Sequence, residues 1–188
     1  MILVTGGAGF IGSNLVRQLN QEGERNILVV DDLTDGEKSK NLVDCVISDY
    51  EDKDEFIALL ESGKYDQIRT VFHLGACSDT TEWDGRYMMR DNFKFSRELY
   101  QHCGKRDIPF IYASSAAVYG APSPKASLDM TEPFDEIEAN ERPLNMYGYS
   151  KLAFDQYVRA NAQERTNLVV GLRYFNICLL YTSDAADE

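Results

Sequence analysis

The chain has 188 residues with ordinary aliphatic and aromatic content, which suits one domain with a substantial core, or one domain and part of another. Its formal net charge of −12 argues against non-specific binding to nucleic acid or to an anionic membrane, and no apolar run approaches the roughly 18 residues of a membrane span. A glycine motif stands where a signal peptide would be, and Cys45, Cys77, Cys103 and Cys178 are isolated with only His73 and His102 nearby in composition, so the expectation is a cytoplasmic protein with core thiols, no metal site and no disulfide framework.

In chain order, Ile2 to Val4 is a buried-strand run, and Phe10, Ile11, Leu15 and Leu19 follow with helical spacing. Between them lies Val4-Thr5-Gly6-Gly7-Ala8-Gly9-Phe10-Ile11-Gly12. Gly6, Gly9 and Gly12 at every third position suit a tight turn that lets backbone N–H groups approach a pyrophosphate at the helix start, with the last glycine letting helix and sheet lie close. Glycines also serve ordinary turns, so spacing alone leaves nucleotide binding open. The context strengthens it: Ile27 to Val30 is a second apolar run ending in Asp31-Asp32, where a dinucleotide-binding unit places an acid on the adenosine ribose. A solvated strand end is the alternative reading of those acids.

Leu33 to Lys38 reads as a loop with a turn at Asp35-Gly36, Leu42 to Ile47 is the next apolar run, and Glu55, Phe56, Leu59 and Leu60 lie in a charged helical segment. Thr70 to Leu74 is strand-like, Tyr87 to Cys103 carries a long helical pattern, and Pro109 to Tyr112 runs as a strand into Ala113-Ser114-Ser115. Gly120 to Pro143 holds four prolines and a cluster of acids, a long loop of the kind that is usually functional or disordered. A helix over Tyr147 to Ala162 and a buried strand over Leu168 to Leu172 complete the series. Alternating strands and helices with connections too long for hairpins predict an α/β fold, a doubly wound parallel sheet covered on both faces.

Of the eleven tyrosines only Tyr147 has a lysine four residues on, Lys151, which places phenol and ammonium one turn apart on one helix face. That pair suits general acid–base work, a neighbouring ammonium and a bound nicotinium both favouring phenolate and lowering the phenol's pKa; a solvated helix face fits the spacing as well. Ser114-Ser115 lies at a strand end, where open parallel sheets gather ligands.

Taken together these motifs resemble the extended short-chain dehydrogenase/reductases that act on nucleotide sugars. Thr5 to Gly12, Ser114-Ser115-Ala116-Ala117-Val118-Tyr119-Gly120 and Tyr147-Gly148-Tyr149-Ser150-Lys151 fit the pattern in order. The narrower stretch Gly75-Ala76-Cys77-Ser78-Asp79-Thr80-Thr81-Glu82-Trp83-Asp84-Gly85, with Tyr87-Met88-Met89, Pro143-Leu144-Asn145 and Arg173-Tyr174-Phe175-Asn176, is similar to members whose substrate is an ADP-heptose.

The resemblance implies a Rossmann domain over residues 1–176 and roles for particular residues. Gly6, Gly9, Phe10, Ile11 and Gly12 would lie along the pyrophosphate, Asp31 and Asp32 at the adenosine ribose, and Leu74, Gly75, Ala76, Cys77 and Ser78 beside the cofactor. Lys38 and Lys53 match lysines that pair with a 2′-phosphate and favour NADP, with NAD possible because Asp32, where the family usually has Asn, would repel that phosphate. Lys151 would hold the nicotinamide ribose, Ser115 would hydrogen-bond the reacting oxygen, Tyr147 would move its proton, and Asn176 would touch the substrate. Where the family has Asn-Asn this chain has Asp91-Asn92, so no role is assigned there. Residues 177–188 depart from the family and are expected to be a foreign-looking tail, the C-terminal substrate domain being missing; the parent enzyme is expected to be a homo-oligomer and this chain an inactive fragment. Rival readings are another NAD(P)-dependent nucleotide-sugar epimerase, dehydratase or reductase, or a non-catalytic nucleotide-binding module.

Overall fold

In the computed structural model, residues 1–120 and 138–175 are described; most of the proline-rich loop, Asn176, Cys178 and the tail expected to be foreign lie outside the described residues. Six strands form one parallel sheet: β1 (Ile2–Thr5), β2 (Ile27–Asp31), β3 (Asp49–Asp52), β4 (Thr70–His73), β5 (Phe110–Ser115) and β6 (Val169–Tyr174). Their order is β3-β2-β1-β4-β5-β6, so the chain reverses direction across the sheet between β1 and β4, which is where a doubly wound fold opens a crevice. Val4 pairs with Val29 on one side and Phe72 on the other.

Alternation of side chains along the central strands feeds two cores. On one face Ile2, Val4, Ile27 and Val29 pack with Leu15, Val16 and Leu19 of α1 (Phe10–Gln21) and with Leu42, Cys45 and Ile47. On the other, Leu3, Leu28, Val30, Val71 and Phe110 pack against Phe56 and Leu60 of α2 (Lys53–Glu61) and against the helices α4 (Phe95–Lys105) and α5 (Met146–Ala160), which contribute Leu99, Tyr100 and Phe154. Fully burying a side chain such as Phe110 is worth about 1.5–3 kcal/mol, and its ring also meets those of Tyr100, Tyr112 and Phe154 at 5.8–6.3 Å between centroids.

The helix starts follow from capping. Asp52 accepts from Asp54 N at 2.8 Å and Asn145 Oδ1 from Gly148 N at 2.8 Å, each satisfying an otherwise orphaned first-turn donor. The start of α1 differs: Gly9 in extended conformation precedes it, no side chain caps it, and its first turn carries no acid.

Two readings gain detail and one is corrected. The apolar run Leu42 to Ile47 forms no strand: Leu42, Cys45 and Ile47 fill the α1 side of the core while Val43 and Val46 are exposed, and β3 begins at Asp49, where Leu28 supplies a register partner. The helical pattern Tyr87 to Cys103 is built in three pieces, α3 (Gly85–Met88), a π-helical segment Met89–Lys94 and α4. Among the cysteines, Cys103 is a core thiol, with burial pushing its pKa up to about 12, whereas Cys45 and Cys77 are only half-buried. Among the described residues no helix is long and apolar enough to cross a membrane.

The glycine turn is steric as well as conformational. Gly6 has φ +68°, and a Cβ there would stand 2.6 Å from Gly75 N on the neighbouring strand end; a Cβ on Gly12 would fall on the Gly6 carbonyl oxygen. Gly12→Ala is therefore expected to cost about 1–3 kcal/mol of folding stability, the usual penalty of overpacking, read as a lower urea midpoint at unchanged slope.

Candidate active site

One cleft of about 820 Å³ runs along the C-terminal ends of the central strands, at the reversal between β1 and β4. It gathers the candidate residues from six separate stretches of chain. Gly6, Gly9, Phe10, Ile11 and Gly12 form its floor with Asp31, Asp32, Lys38 and Lys53 at one end, Leu74, Gly75, Ala76, Cys77 and Ser78 along one wall, and Ser115, Tyr147 and Lys151 at the other end. Asn176 lies outside the described residues, next to Tyr174 and Phe175, which line the same cleft.

At the Tyr147 end, the Ser115 hydroxyl is near enough to the Tyr147 phenol to favour its ionised form, and Ser115 Oγ accepts from Ala117 N at 3.1 Å. The buried Lys151 donates from Nζ to the Ala113 carbonyl at 2.8 Å, fixing the ammonium to the strand that carries Ser115. Burial lowers its pKa to about 8, against the pull of Asp155, so the group is predominantly charged at neutral pH. The expected lowering of the Tyr147 phenol by this ammonium is not what the site shows: burial raises the phenol, Cys77 adds to the rise, and only the Ser115 hydrogen bond opposes it. Burial is the largest cause, and it outweighs the favouring of the phenolate by Ser115.

Ser114 and Ser115 diverge, as neighbours on a strand must. Ser114 Oγ donates at 2.8 Å to the buried Asp155 of α5, which also accepts from Tyr112 Oη at 3.0 Å and Arg173 Nη2 at 3.0 Å. This ties β5, β6 and α5 together behind the cleft.

At the acidic end, Asp31 Oδ2 accepts from Ala8 N in the glycine turn at 2.8 Å, while Oδ1 accepts from Asp32 N at 2.8 Å and Lys38 Nζ at 3.0 Å. Asp32 is held down at about 2 by hydrogen bonds from the side chain and backbone of Thr34, with Lys53 adding its charge. Lys53 Nζ lies 2.7 Å from Asp91 Oδ2 and 3.4 Å from Asp32 Oδ2; burial opposes its charge, but Asp91 and Asp32 outweigh burial and raise its pKa.

Two groups that sequence reasoning passed over hold these parts in place. Asn92, buried on the π-helical segment, accepts from Cys77 N at 2.8 Å and donates to Cys77 O at 2.9 Å and to Ser150 Oγ at 3.0 Å, joining the wall of the cleft to the helix of Tyr147. The signal for it was an amide inside an apolar helical pattern. His73, also buried, accepts at Nδ1 from Thr5 Oγ1 and donates from Nε2 to Ser96 Oγ, both at 2.7 Å; this tautomer follows because Ser96 spends its own proton on the Asn92 carbonyl.

The arrangement can hold a dinucleotide phosphate. The uncapped α1 leaves first-turn N–H groups at the positive end of a helix dipole, and the glycines keep the approach clear of side chains. Among the described residues no cluster of three or more metal-ligating side chains occurs.

Comparison with known proteins matches these features. A profile of the NAD dependent epimerase/dehydratase family covers residues 2–186. The ADP-L-glycero-D-manno-heptose-6-epimerase of Alkalilimnicola ehrlichii is 61% identical over 178 residues, 94% of this chain and 53% of that protein. Among solved structures, the Helicobacter pylori ADP-L-glycero-D-manno-heptose-6-epimerase superposes with a TM-score of 0.72 at 30% identity over 93% of this chain and 54% of that one. UDP-glucuronic acid 4-epimerase from Bacillus cereus, in complex with UDP-glucuronic acid and NAD, gives 0.73 at 26% identity over 94% and 57%. The chain spans about half the length of the relatives it matches.

Burial lowers the His73 pKa to about 3, with the Lys151 charge adding to the effect. Below its unfolded value of about 6.5 the unfolded chain binds a proton that the folded one refuses, so stability falls as pH drops from about 6 toward 3, by roughly 1.4 kcal/mol per unit from this group. His73→Gln is expected to flatten that part of the slope relative to the unaltered protein, measured by urea unfolding between pH 7 and 4.5.

Proposed function

The chain belongs to the NAD dependent epimerase/dehydratase family, and on that premise we propose that it carries the cofactor-binding half of an enzyme that interconverts ADP-D-glycero- and ADP-L-glycero-D-manno-heptose by inverting C6. The observation that carries this reading is the meeting of Tyr147, Ser115 and Lys151 at one end of a cleft floored by the Gly6–Gly12 turn. The identity to the Alkalilimnicola protein supports the choice of sugar.

A nicotinamide dinucleotide, read here as NADP with NAD accepted, supplies the redox chemistry when bound, taking hydride from C6 and returning it. The first-turn N–H groups of Phe10 and Ile11 would hold its pyrophosphate, Asp31 and Asp32 would face the adenosine ribose, and Lys38, paired with Asp31, and Lys53, shared by Asp91 and Asp32, are the cations assigned to a 2′-phosphate. Lys151, anchored on the Ala113 carbonyl, presents its remaining N–H groups to the other ribose. Ser115 hydrogen-bonds the C6 oxygen and Tyr147 takes the hydroxyl proton as that carbon becomes a ketone. Rotation about C5–C6 exposes the opposite face of the 6-keto sugar for reduction. Because oxidation and reduction cancel, no external redox partner is consumed. Asn176 is assigned to the sugar, and a further substrate-holding domain and second acid–base group are assigned to the part of the relatives' length that this chain does not span.

In the full-length protein, Tyr147→Phe is expected to leave folding and cofactor binding nearly intact and to lower epimerisation about 10²–10⁴-fold, the usual worth of a positioned acid–base group. Lys151→Met is expected to weaken dinucleotide binding as well as turnover. Affinity should also fall as pH rises through about 8, where Lys151 loses its charge. Normal epimerisation of ADP-heptose by both variants would overturn the catalytic assignment.

A further inference from the structure

Behind the Tyr147 end of the cleft, the buried Asp155 brings more charge than its hydrogen bonds require. Its Oδ1 accepts from Tyr112 Oη at 3.0 Å, and its Oδ2 accepts from Ser114 Oγ at 2.8 Å and from Arg173 Nη2 and Nε at 3.0 and 3.2 Å. A neutral amide oxygen could hold the two hydroxyls equally well, without taking a charge out of water. Arg173 does call for a carboxylate, but it already has one in Glu141, whose side chain is only 4% exposed and which also pairs with Arg159 at 2.7 Å. Tying β5, β6 and α5 together therefore does not account for the desolvation of a second carboxylate.

Lys151 is the group that gains from it. It lies one helical turn before Asp155 on the same face of α5, is buried, and its hydrogen-bond partner, the Ala113 carbonyl, is neutral. The other titratable groups of this end supply no negative charge to balance it: His73 on β4 is kept neutral by burial, burial holds Tyr147 as a phenol, and Cys77 stands on the facing wall as a thiol. The acids Asp31, Asp32 and Asp91 sit at the opposite end, paired with Lys38, Lys53 and Arg90. We infer that Asp155 is a positioning residue for the proposed reaction, its carboxylate supplying the counter-charge that lets Lys151 meet the nicotinamide ribose as an ammonium. The inference rests on the proposed dinucleotide-binding function. Burial lowers the Lys151 pKa to about 8, and Asp155 opposes that fall; buried lysines can drop to about 5–6. A carboxylate about 6 Å away is worth about one pH unit or more to a buried ammonium.

The test is the pH dependence of NAD and NADP binding to the full-length protein, followed by calorimetry between pH 6.5 and 9.5, a range above the second ionisation of the 2′-phosphate at about 6. The unaltered protein is compared with Asp155→Asn, Asp155→Ser, Ser114→Ala and Lys151→Met. Affinity in the unaltered protein is expected to break downward near pH 8. In Asp155→Asn and Asp155→Ser the break is expected about one pH unit lower or more, so that binding is weakened far more at pH 8 than at pH 6.5. Ser114→Ala removes a hydrogen bond to Asp155 but no charge, and its break is expected to stay near 8; in Lys151→Met no break is expected. Asp155→Asn keeps an oxygen for Ser114, and Asp155→Ser supplies an independent variant if the amide perturbs folding. An unmoved break in the folded Asp155 variants, even with weaker binding at every pH, would reduce Asp155 to a structural tie and overturn the inference. So would an equal displacement in Ser114→Ala, or a break that survives Lys151→Met. All three results leave the proposed function standing, whereas binding of neither dinucleotide by the unaltered protein would overturn both.

Discussion

Everything at the cleft depends on how closely two strand ends approach each other. The Gly6 backbone stands so near Gly75 that a single Cβ at Gly6 would come within 2.6 Å of the Gly75 amide nitrogen. This contact joins the turn before α1 to the loop after β4, across the reversal in strand order. Thr5 reinforces it by accepting from Gly75 N at 3.1 Å while donating to His73. A backbone-lined floor results, with N–H groups exposed where side chains would otherwise stand.

From that floor the remaining groups are placed by a short series of buried polar links. His73 and Ser96 lead from β4 to the carbonyl of Asn92, and the Asn92 amide leads back to Cys77 and across to Ser150, beside Lys151. On the far side Asp155 collects Tyr112, Ser114 and Arg173. Polar networks in a low-dielectric interior are costly when incomplete and restrictive when complete, and here the network fixes the relative position of β5 and α5, the two elements that bear the candidate catalytic groups.

Much of the fold was legible because buried strands and amphipathic helices write themselves as periodicities: Ile2 to Val4, Ile27 to Val30 and Pro109 to Tyr112 all fall within or beside observed strands. The run Leu42 to Ile47 forms no strand, for the converse reason. Apolar residues in an irregular segment can serve the core as well as a strand does, and the short edge strand β3 carries polar residues because it is only half-buried. At the site, residues with a fixed spacing, such as Tyr147 and Lys151 or the three glycines, announced themselves. Those whose partners are distant in sequence did not. Asn92 meets residues 15 and 58 positions away, and its place inside an apolar helical pattern, the one local signal, does not say which groups it joins. The direction of the Tyr147 shift was not legible because spacing places Lys151 one turn away but says nothing of how deeply the phenol is buried.

The π-helical segment Met89–Lys94 gives this part of the chain an unusual relation to length. A wider turn takes up an extra residue relative to an α-helix, and each residue in an α-helix advances the side-chain direction by about 100°. Removing one residue would let the segment relax into regular α-helix, a gain in local backbone regularity. The same deletion would swing either Asn92 or Ser96 off its present bearing, and with it the amide that clasps Cys77 or the hydroxyl that receives His73. The chain here is thus constrained in residue number as well as in residue type, and the irregular helix is the form in which both bearings can be kept at once.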